Sequence, residues 1–232
     1  MEIDIVPLHG LWIPPDDLDA VVVIDVLRSF TTASVAIDRG ARAIYLASGP
    51  AAAFALWRQQ PHATLVGALG GGRPVPGFDY GNSPSRLSQV SLSGQNVILS
   101  TVAGVRGLLR FAKVPLVFAG ALCIAAATAR ALRQSGARRV ALVVTGEWVN
   151  RDGDEDLACA EYLRALLTGQ TADRAAFAER VRQSDFGRQF GSPQAPYLPA
   201  ADLDFCTDCD RYDFSLRLHR DPADGQLQLL AA

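Results

Sequence analysis

The strongest constraint on the fold is an apolar run at residues 21–24, Val-Val-Val-Ile, which is followed directly by Asp25 and three positions later by Arg28. A short run of mostly β-branched residues is typical of a strand that is buried on both faces of a parallel sheet. Residues 29–39 are rich in Ala, Ser and Thr and predict a helix immediately afterwards. This stretch therefore predicts one strand–turn–helix unit of an α/β protein.

Similar units recur along the chain. Further strands are predicted at residues 3–8, 43–47, 64–67, 96–100, 116–119 and 139–144, and further helices at 50–59, 104–111, 123–134, 154–167 and 172–183. Residues 12–17 predict a loop, and residues 214–218 and 226–230 predict a terminal β-hairpin. The alternation indicates a three-layer α/β/α arrangement with a mainly parallel sheet. We assign residues 1–232 to one domain, although the length also suits two small lobes.

The net charge, the apolar runs and the cysteine count narrow the class of protein. The formal net charge of −2 gives no general attraction to nucleic acid or to acidic membranes, and no apolar run is long enough to cross a bilayer. The amino end predicts a strand and not a signal peptide. Four cysteines at irregular spacing indicate reduced thiols and a cytoplasmic protein.

Acidic and cysteine residues near the carboxyl end are assigned to structure. Five aspartates fall within residues 202–213 and indicate a solvated loop. Cys206 and Cys209 form a single C-x-x-C pair without a second pair at zinc-finger spacing, so zinc is discounted. Cys123 and Cys159 lie on apolar helix faces and are expected in the core.

The first candidate site is the turn after residues 21–24. Open α/β sheets bind ligands at the carboxyl ends of their strands, and the free N–H groups at a helix start attract anions. Asp25 and Arg28 are therefore candidate catalytic residues, and Ser29, Thr31 and Thr32 are candidate phosphate contacts. Asp25 could instead cap the helix while Arg28 pairs with it at the surface, and this stretch alone leaves both interpretations open.

The second candidate is the glycine-rich segment at residues 70–84, which is long and polar for a simple connection. Gly71 and Gly72 permit close approach of the backbone to a ligand. Asp79 and Asn82 offer oxygen ligands or hydrogen bonds, and Ser83-Pro84 predicts another helix start. The alternative is a flexible surface loop, and neither a P-loop lysine nor a dinucleotide-binding glycine spacing is present.

Two further candidates follow later strands. Glu155 and Asp156 belong to an acidic helix start, where acids complement the helix dipole or bind Mg²⁺ together with phosphate oxygens. A calcium loop is discounted because its required glycine is missing. Arg106 follows residues 96–100 as Arg28 follows its strand, and it is either a second clamp for an anion or a solvated helix arginine.

These segments, in this order, resemble the 2-phosphosulfolactate phosphatase (ComB) family over nearly the whole chain. The matching stretches are residues 23–28 with Thr31 and Thr32, then 77–84, 155–160 and 202–206. The resemblance implies an α/β fold and Mg²⁺-dependent hydrolysis of (2R)-phospho-3-sulfolactate to (2R)-3-sulfolactate and phosphate, a step of coenzyme M biosynthesis. It implies functional roles for the matching polar positions Asp25, Arg28, Asp79, Asn82, Glu155 and Asp156.

Three positions depart from the family pattern, which has a glutamate in place of Ala68 and asparagines in place of Ala103 and Ile124. We therefore expect a Mg²⁺-dependent phosphatase for phosphosulfolactate or a related small phosphorylated hydroxy acid. Metal ligands would come from Asp25, Asp79, Glu155 and Asp156. A non-catalytic protein that binds an anionic metabolite is the alternative. Direct attack by water is favoured over a phosphoaspartate, and a homodimer is compatible with the chain.

Overall fold

The computed structural model describes residues 1–9, 17–146, 152–222 and 224–232, so the loop predicted at residues 12–17 lies almost wholly outside them. The strands are β1 (Glu2–Pro7), β2 (Ala20–Ile24), β3 (Ala43–Leu46), β4 (Thr64–Gly67), β5 (Tyr80–Gly81), β6 (Asn96–Ser100), β7 (Leu116–Gly120), β8 (Arg139–Val144), β9 (Leu216–Arg220) and β10 (Leu227–Ala231). The helices are α1 (Ser29–Asp38), α2 (Pro50–Gln59), α3 (Pro84–Leu87), α4 (Gly104–Arg110), α5 (Ala125–Ser135), α6 (Asp154–Thr168), α7 (Arg174–Gln183) and α8 (Ala201–Cys206).

Within the described residues the strands form a sheet in the order β1-β8-β2-β7-β9-β10-β3-β6-β4-β5. The first four strands in this order, β1, β8, β2 and β7, pair in parallel, and so do the last four, β3, β6, β4 and β5. The β9–β10 hairpin joins these two parallel groups by antiparallel pairing on both sides. The hairpin was predicted from the sequence, but its place in the middle of the sheet was not.

Alternate residues of β2 pack on opposite faces of the sheet, as a fully buried strand requires. Val21 and Val23 contact the cluster that contains Phe30 of α1 and Leu108 of α4. Val22 and Ile24 belong to the cluster on the other face, which α5 and α6 cover. The predicted three-layer α/β/α arrangement with a mainly parallel sheet is therefore confirmed.

Two short elements were not predicted. Strand β5 lies inside the glycine-rich segment and pairs with β4, so this segment is not a structureless loop. Helix α8 lies inside the aspartate-rich region and packs against α3. The prediction of a solvated loop is correct for the exposed Asp204, Asp208 and Asp213 but wrong for Asp202, which is fully buried, and for Asp210, which binds the Ala126 amide at 2.7 Å. Among the described residues, no helix combines the length and the apolar character needed to span a membrane.

Candidate active site

A cavity of about 450 Å³ lies where the turns after β2, β4, β6 and β8 meet the first turn of α6. The turn after β6 reaches the turn after β2, where the Gly104 amide donates to Asp25 Oδ2 at 2.9 Å, although the two parallel groups run in opposite directions. The cavity brings together most of the residues that the sequence singles out, namely Asp25, Arg28, Ser29, Gly71, Gly72, Asn82, Glu155 and Asp156.

Asp25 is buried at the carboxyl end of β2. Its Oδ1 accepts a hydrogen bond from the Ser29 amide at 3.0 Å, and its Oδ2 accepts from the Ser29 hydroxyl at 2.6 Å and from the Gly104 amide at 2.9 Å. Burial raises the pKa of the Asp25 carboxyl, while the bonds from Ser29 and Gly104 oppose that shift. Asp25 thus binds the amino ends of both α1 and α4, so the capping alternative is correct in part.

Arg28 is buried, and its side chain is only 1% exposed. Its Nη1 donates to Asp202 Oδ2 at 2.6 Å and to the Tyr197 carbonyl at 3.1 Å. Its Nη2 donates to the Gly72 carbonyl at 3.4 Å, and the guanidinium carbon lies 5.4 Å from the centre of the Phe190 ring. The alternative of a surface pair with Asp25 is therefore wrong, and Arg28 is a fixed cationic group in the cavity wall.

The first turn of α6 adds two buried carboxyl groups to the cavity. Asp156 accepts hydrogen bonds from the Val26 amide at 2.8 Å and the Thr145 amide at 3.0 Å, which ties α6 to the ends of β2 and β8. Burial raises the pKa of Asp156 well above its ordinary value, and the negative charges of Glu155 and Asp25 act in the same direction. The carboxyl groups of Asp25, Glu155 and Asp156 therefore lie in one region that is shielded from water.

The glycine-rich segment supplies another part of the cavity wall. Gly71 and Gly72 have φ angles of 74° and 80°, a conformation that favours glycine, and a Cβ at Gly72 would lie 2.8 Å from Arg28 Nη2. Asn82 is buried in the lining, and no described residue donates a hydrogen bond to its Oδ1. Arg73 lies exposed at the cavity edge. This wall therefore offers a buried amide oxygen and a second cation.

Two predicted phosphate contacts, Thr31 and Thr32, do not line the cavity. The Thr31 hydroxyl donates to the Val26 carbonyl at 2.9 Å, and Thr32 is fully buried. Side chains two positions apart on a helix point about 200° away from each other, so Thr31 cannot face the cavity together with Ser29. Both threonines therefore lie in the interior, away from the cavity.

Asp79 and Arg106 also lie outside the lining. Asp79 is exposed, and its Oδ2 accepts from the Leu65 amide at 2.8 Å, near the amino end of β4. The cavity lies beyond the carboxyl end of the same strand. Arg106 is on the exposed side of α4. The structure therefore does not place Asp79 with the other predicted metal ligands or Arg106 with Arg28.

The donor set fits one hard divalent cation. Mg²⁺ is commonly held by one or two carboxylates together with water and substrate oxygens, and Asp25, Glu155 and Asp156 supply buried carboxylates in one cavity. A cation there would offset the charge repulsion that raises the pKa of Asp156. In the part of the chain that the structure describes, no three His, Cys, Asp or Glu side chains form a metal group by themselves.

Asp202, Thr101 and Thr145 were not among the predicted site residues. Thr101 Oγ1 lies 3.0 Å from Ser29 Oγ, and the Thr145 hydroxyl donates to the Ile24 carbonyl at 2.9 Å. Only the matching stretch at residues 202–206 could have pointed to Asp202, and its pattern resembles a solvated loop. Of the three departures from the family pattern, Ala68 and Ala103 line the cavity whereas Ile124 is a core residue.

The fold and the site define an α/β protein with a cavity at its strand ends, which buried carboxylates and an immobilised arginine line together. The model of the family described as 2-phosphosulpholactate phosphatase matches residues 13–219 of the chain. The chain therefore belongs to the 2-phosphosulfolactate phosphatase family.

Relatives from several bacteria share most of their length with this chain. The protein of Bacillus subtilis (strain 168) named "Probable 2-phosphosulfolactate phosphatase" is 30% identical over 222 residues, which cover 95% of each chain. A protein of Thermus thermophilus with the same name is 32% identical to this chain, over 79% of this chain and 76% of the relative. In Deinococcus radiodurans the identity is 35%, over 71% of this chain and 70% of the relative.

Proposed function

We propose that this protein is a Mg²⁺-dependent phosphatase that hydrolyses (2R)-phospho-3-sulfolactate, or a related small phosphorylated hydroxy acid, to the hydroxy acid and phosphate. The observation that carries the proposal is the meeting of Asp25, Glu155 and Asp156 with Arg28 in one cavity. A site that only binds an anion gains nothing from adjacent carboxylates, because they repel it. A phosphatase uses them to hold a cation that the phosphoryl group also binds.

Arg28 would contact the phosphoryl oxygens. Transfer of a phosphoryl group spreads negative charge over these oxygens, so a fixed cation and aligned N–H donors stabilise the transition state. Arg28 is already held by Asp202, Tyr197 and Gly72, and it loses little freedom when a substrate binds. The amides at the start of α1 contribute less than predicted, because Asp25 accepts from the Ser29 amide and its carbonyl accepts from the Phe30 amide.

Asp25 and Glu155 would hold the cation, and Asp156 would position them through its bonds to the Val26 and Thr145 amides. When bound, Mg²⁺ polarises the phosphoryl group and neutralises developing charge. Direct attack by water agrees with the environment of Asp25, whose two carboxylate oxygens both accept hydrogen bonds and are therefore weak nucleophiles.

Arg73 is the candidate contact for the carboxylate or sulfonate of the substrate. It is the second arginine of the lining among the described residues, and it lies at the edge, where the non-phosphorylated end of a substrate would project. The physiological part of the proposal is a cytoplasmic enzyme of sulfolactate metabolism, such as coenzyme M biosynthesis. The four free cysteines agree with a reducing compartment. A homodimer stays a prediction.

The test measures phosphate release from (2R)-phospho-3-sulfolactate with Mg²⁺ and with excess EDTA. We expect activity only with the metal, and a loss of at least about 10²-fold in Asp25→Asn and Arg28→Ala. Asp79→Asn is the matched control, because this acid belongs to the same family pattern but lies outside the cavity, and it should retain activity. Binding of the ester without turnover would instead indicate the anionic-metabolite-binding protein. Undiminished turnover in both cavity variants would rule out the mechanism.

A further inference from the structure

Asp202 joins two distant parts of the cavity wall. It lies on α8, close to the carboxyl end of the chain, and is 0% exposed. Its Oδ2 accepts from Arg28 Nη1 at 2.6 Å. Its Oδ1 accepts from the Ser83 hydroxyl at 2.7 Å, from the Ser85 amide at 3.0 Å and from the Ser85 hydroxyl at 2.5 Å. One carboxylate therefore connects the start of α1 to the start of α3.

The bonds to α3 fix the position of Asn82. Ser83 follows Asn82 directly in the chain, and Ser83 and Ser85 flank Pro84, the first residue of α3. Asn82 is 7% exposed and lines the cavity, where no described residue donates to its Oδ1. A buried amide oxygen without a donor costs free energy unless a ligand supplies the partner. Asn82 is thus held ready for a ligand by a turn that Asp202 anchors.

The bond to Arg28 fixes the guanidinium. A free arginine side chain has several rotatable bonds and samples many conformations, whereas its planar group presents donors in a rigid fork once it is held. The Asp202 carboxylate is a charged partner for Nη1, and charge-assisted bonds of this kind are the stronger ones. The guanidinium therefore keeps one orientation toward the cavity.

We propose that Asp202 is a positioning residue that sets the geometry of the phosphate site by orienting Arg28 and the Asn82 turn with a single carboxylate. This inference rests on the proposed function, in which Arg28 contacts the phosphoryl group. Asp202 does not itself touch the substrate, since it does not line the cavity. Its effect must therefore pass through the residues that it holds.

A double-mutant cycle separates positioning from general stabilisation. Asp202→Asn keeps the size of the side chain but loses the charge and one acceptor. We expect kcat/KM to fall roughly 10²-fold, the cost of about 1 Å of misplacement. In the Arg28→Ala background the same substitution should lower kcat/KM by no more than about 10-fold, because only the Asn82 turn then remains for Asp202 to position. Circular dichroism and the melting temperature of each variant establish that it is folded.

Asp204→Asn is the matched control, because Asp204 is an exposed aspartate of the same helix that pairs with Arg182 at 3.3 Å. It should leave kcat/KM unchanged. Ser85→Ala is the milder companion, since it removes one donor to Asp202 and leaves Arg28 untouched. We expect a loss of about 3- to 10-fold from Ser85→Ala. This variant decides the question if Asp202→Asn does not fold, and full activity in it would then overturn the inference.

Calorimetric binding of inorganic phosphate in the presence of Mg²⁺ keeps this test separate from the proposed function. If the wild-type protein hydrolyses no ester, the proposed function fails, but weaker phosphate binding in Asp202→Asn than in Asp204→Asn still supports the role of Asp202. An equal loss from Asp202→Asn with and without Arg28 overturns the inference, as does no loss at all. Wild-type protein that neither hydrolyses an ester nor binds phosphate also overturns it.

Discussion

The turns that follow β2 and β6 have the same local plan but different surroundings. Each begins at the end of a buried strand and leads through a short turn into a helix, with an arginine near the helix start: Arg28 lies directly before α1, and Arg106 is the third residue of α4. Arg28 is buried and held by Asp202 at 2.6 Å. Arg106 is exposed on the outer side of α4. The two turns touch where the Gly104 amide donates to Asp25.

The difference shows that the role of each arginine is decided by distant segments. Arg28 contacts residues 44, 169 and 174 positions away in the chain, and these supply the partners that a buried guanidinium requires. The exposed position of Arg106 requires no such partners. The second turn instead contributes a backbone amide to Asp25 and the side chains of Thr101, Val102 and Ala103 to the lining.

The largest expected effect contrasts the two arginines. Arg28→Ala should lower kcat/KM by about 10³-fold, which is the lower range for loss of an arginine that stabilises phosphoryl transfer. It should also destabilise the fold by about 3 kcal/mol, because Asp202 becomes a buried charge without its partner. Arg106→Ala should stay within about 2-fold in kcat/KM and 0.5 kcal/mol in stability. Steady-state kinetics and urea unfolding measure both, and equal losses in the two variants would remove the contrast.

The sequence predicted the local features of these turns well and the long-range ones poorly. The apolar run before Asp25 was sufficient for β2, because burial on both faces leaves few alternatives for four β-branched residues. The cavity residues Asp25, Arg28, Glu155 and Asp156 follow from the rule that ligands bind beyond the ends of strands. Asp79 and Arg106 met the same local criteria, yet the structure places neither in the cavity.

The reason for these errors is that a local pattern does not specify which faces meet. Asp79 precedes the short strand β5, whose pairing with β4 turns the acid toward the Leu65 amide at the other end of β4. Asp202 belongs to a six-residue helix without an apolar periodicity, in a region rich in aspartate. Its burial depends on Arg28 and Ser83, which are far away in sequence, so composition alone indicated solvent.

The second prediction concerns the point where the two turns touch. A Cβ at Gly104 would lie 2.8 Å from Asp25 Oδ2 and 3.0 Å from the Phe30 ring, so Gly104→Ala should displace the carboxylate. We expect a loss of stability of about 1–3 kcal/mol from overpacking, and a loss in kcat/KM between about 10- and 100-fold. Gly81→Ala is the control, since no atom lies within 4 Å of its Cβ position. Denaturant unfolding and steady-state kinetics measure the two losses. A Gly104→Ala variant with wild-type stability and wild-type kcat/KM would contradict the close contact.

The third prediction compares a threonine from each turn. Thr101 lines the cavity, and its Oγ1 lies 3.0 Å from Ser29 Oγ, which in turn binds Asp25. Thr101→Val should therefore reduce kcat/KM about tenfold, as loss of an outer-shell partner does. Thr31→Val should cost about 1 kcal/mol of stability, because the Val26 carbonyl loses its donor, and should leave kcat/KM unchanged. If Thr31→Val instead lowered kcat/KM and Thr101→Val lowered only the stability, Thr31 would be the threonine that contacts the substrate.

The smallest expected effect concerns the apolar edge of the second turn. Gly67 pairs with Ser100 in the sheet, and Leu69 and Val102, each two residues further on, both line the cavity and are 36% and 37% exposed. The phosphate esters of an apolar and of a sulfonated hydroxy acid are the two substrates that test this edge. Val102→Ser should lower kcat/KM for the apolar ester by about 3- to 10-fold, which is the low end for one methylene-sized contact, and should leave the sulfonated ester unaffected. Trp57→Ser, on an equally exposed apolar side chain of α2 outside the lining, should change neither. A uniform loss on both esters would show that Val102 supports the turn and does not select the substrate.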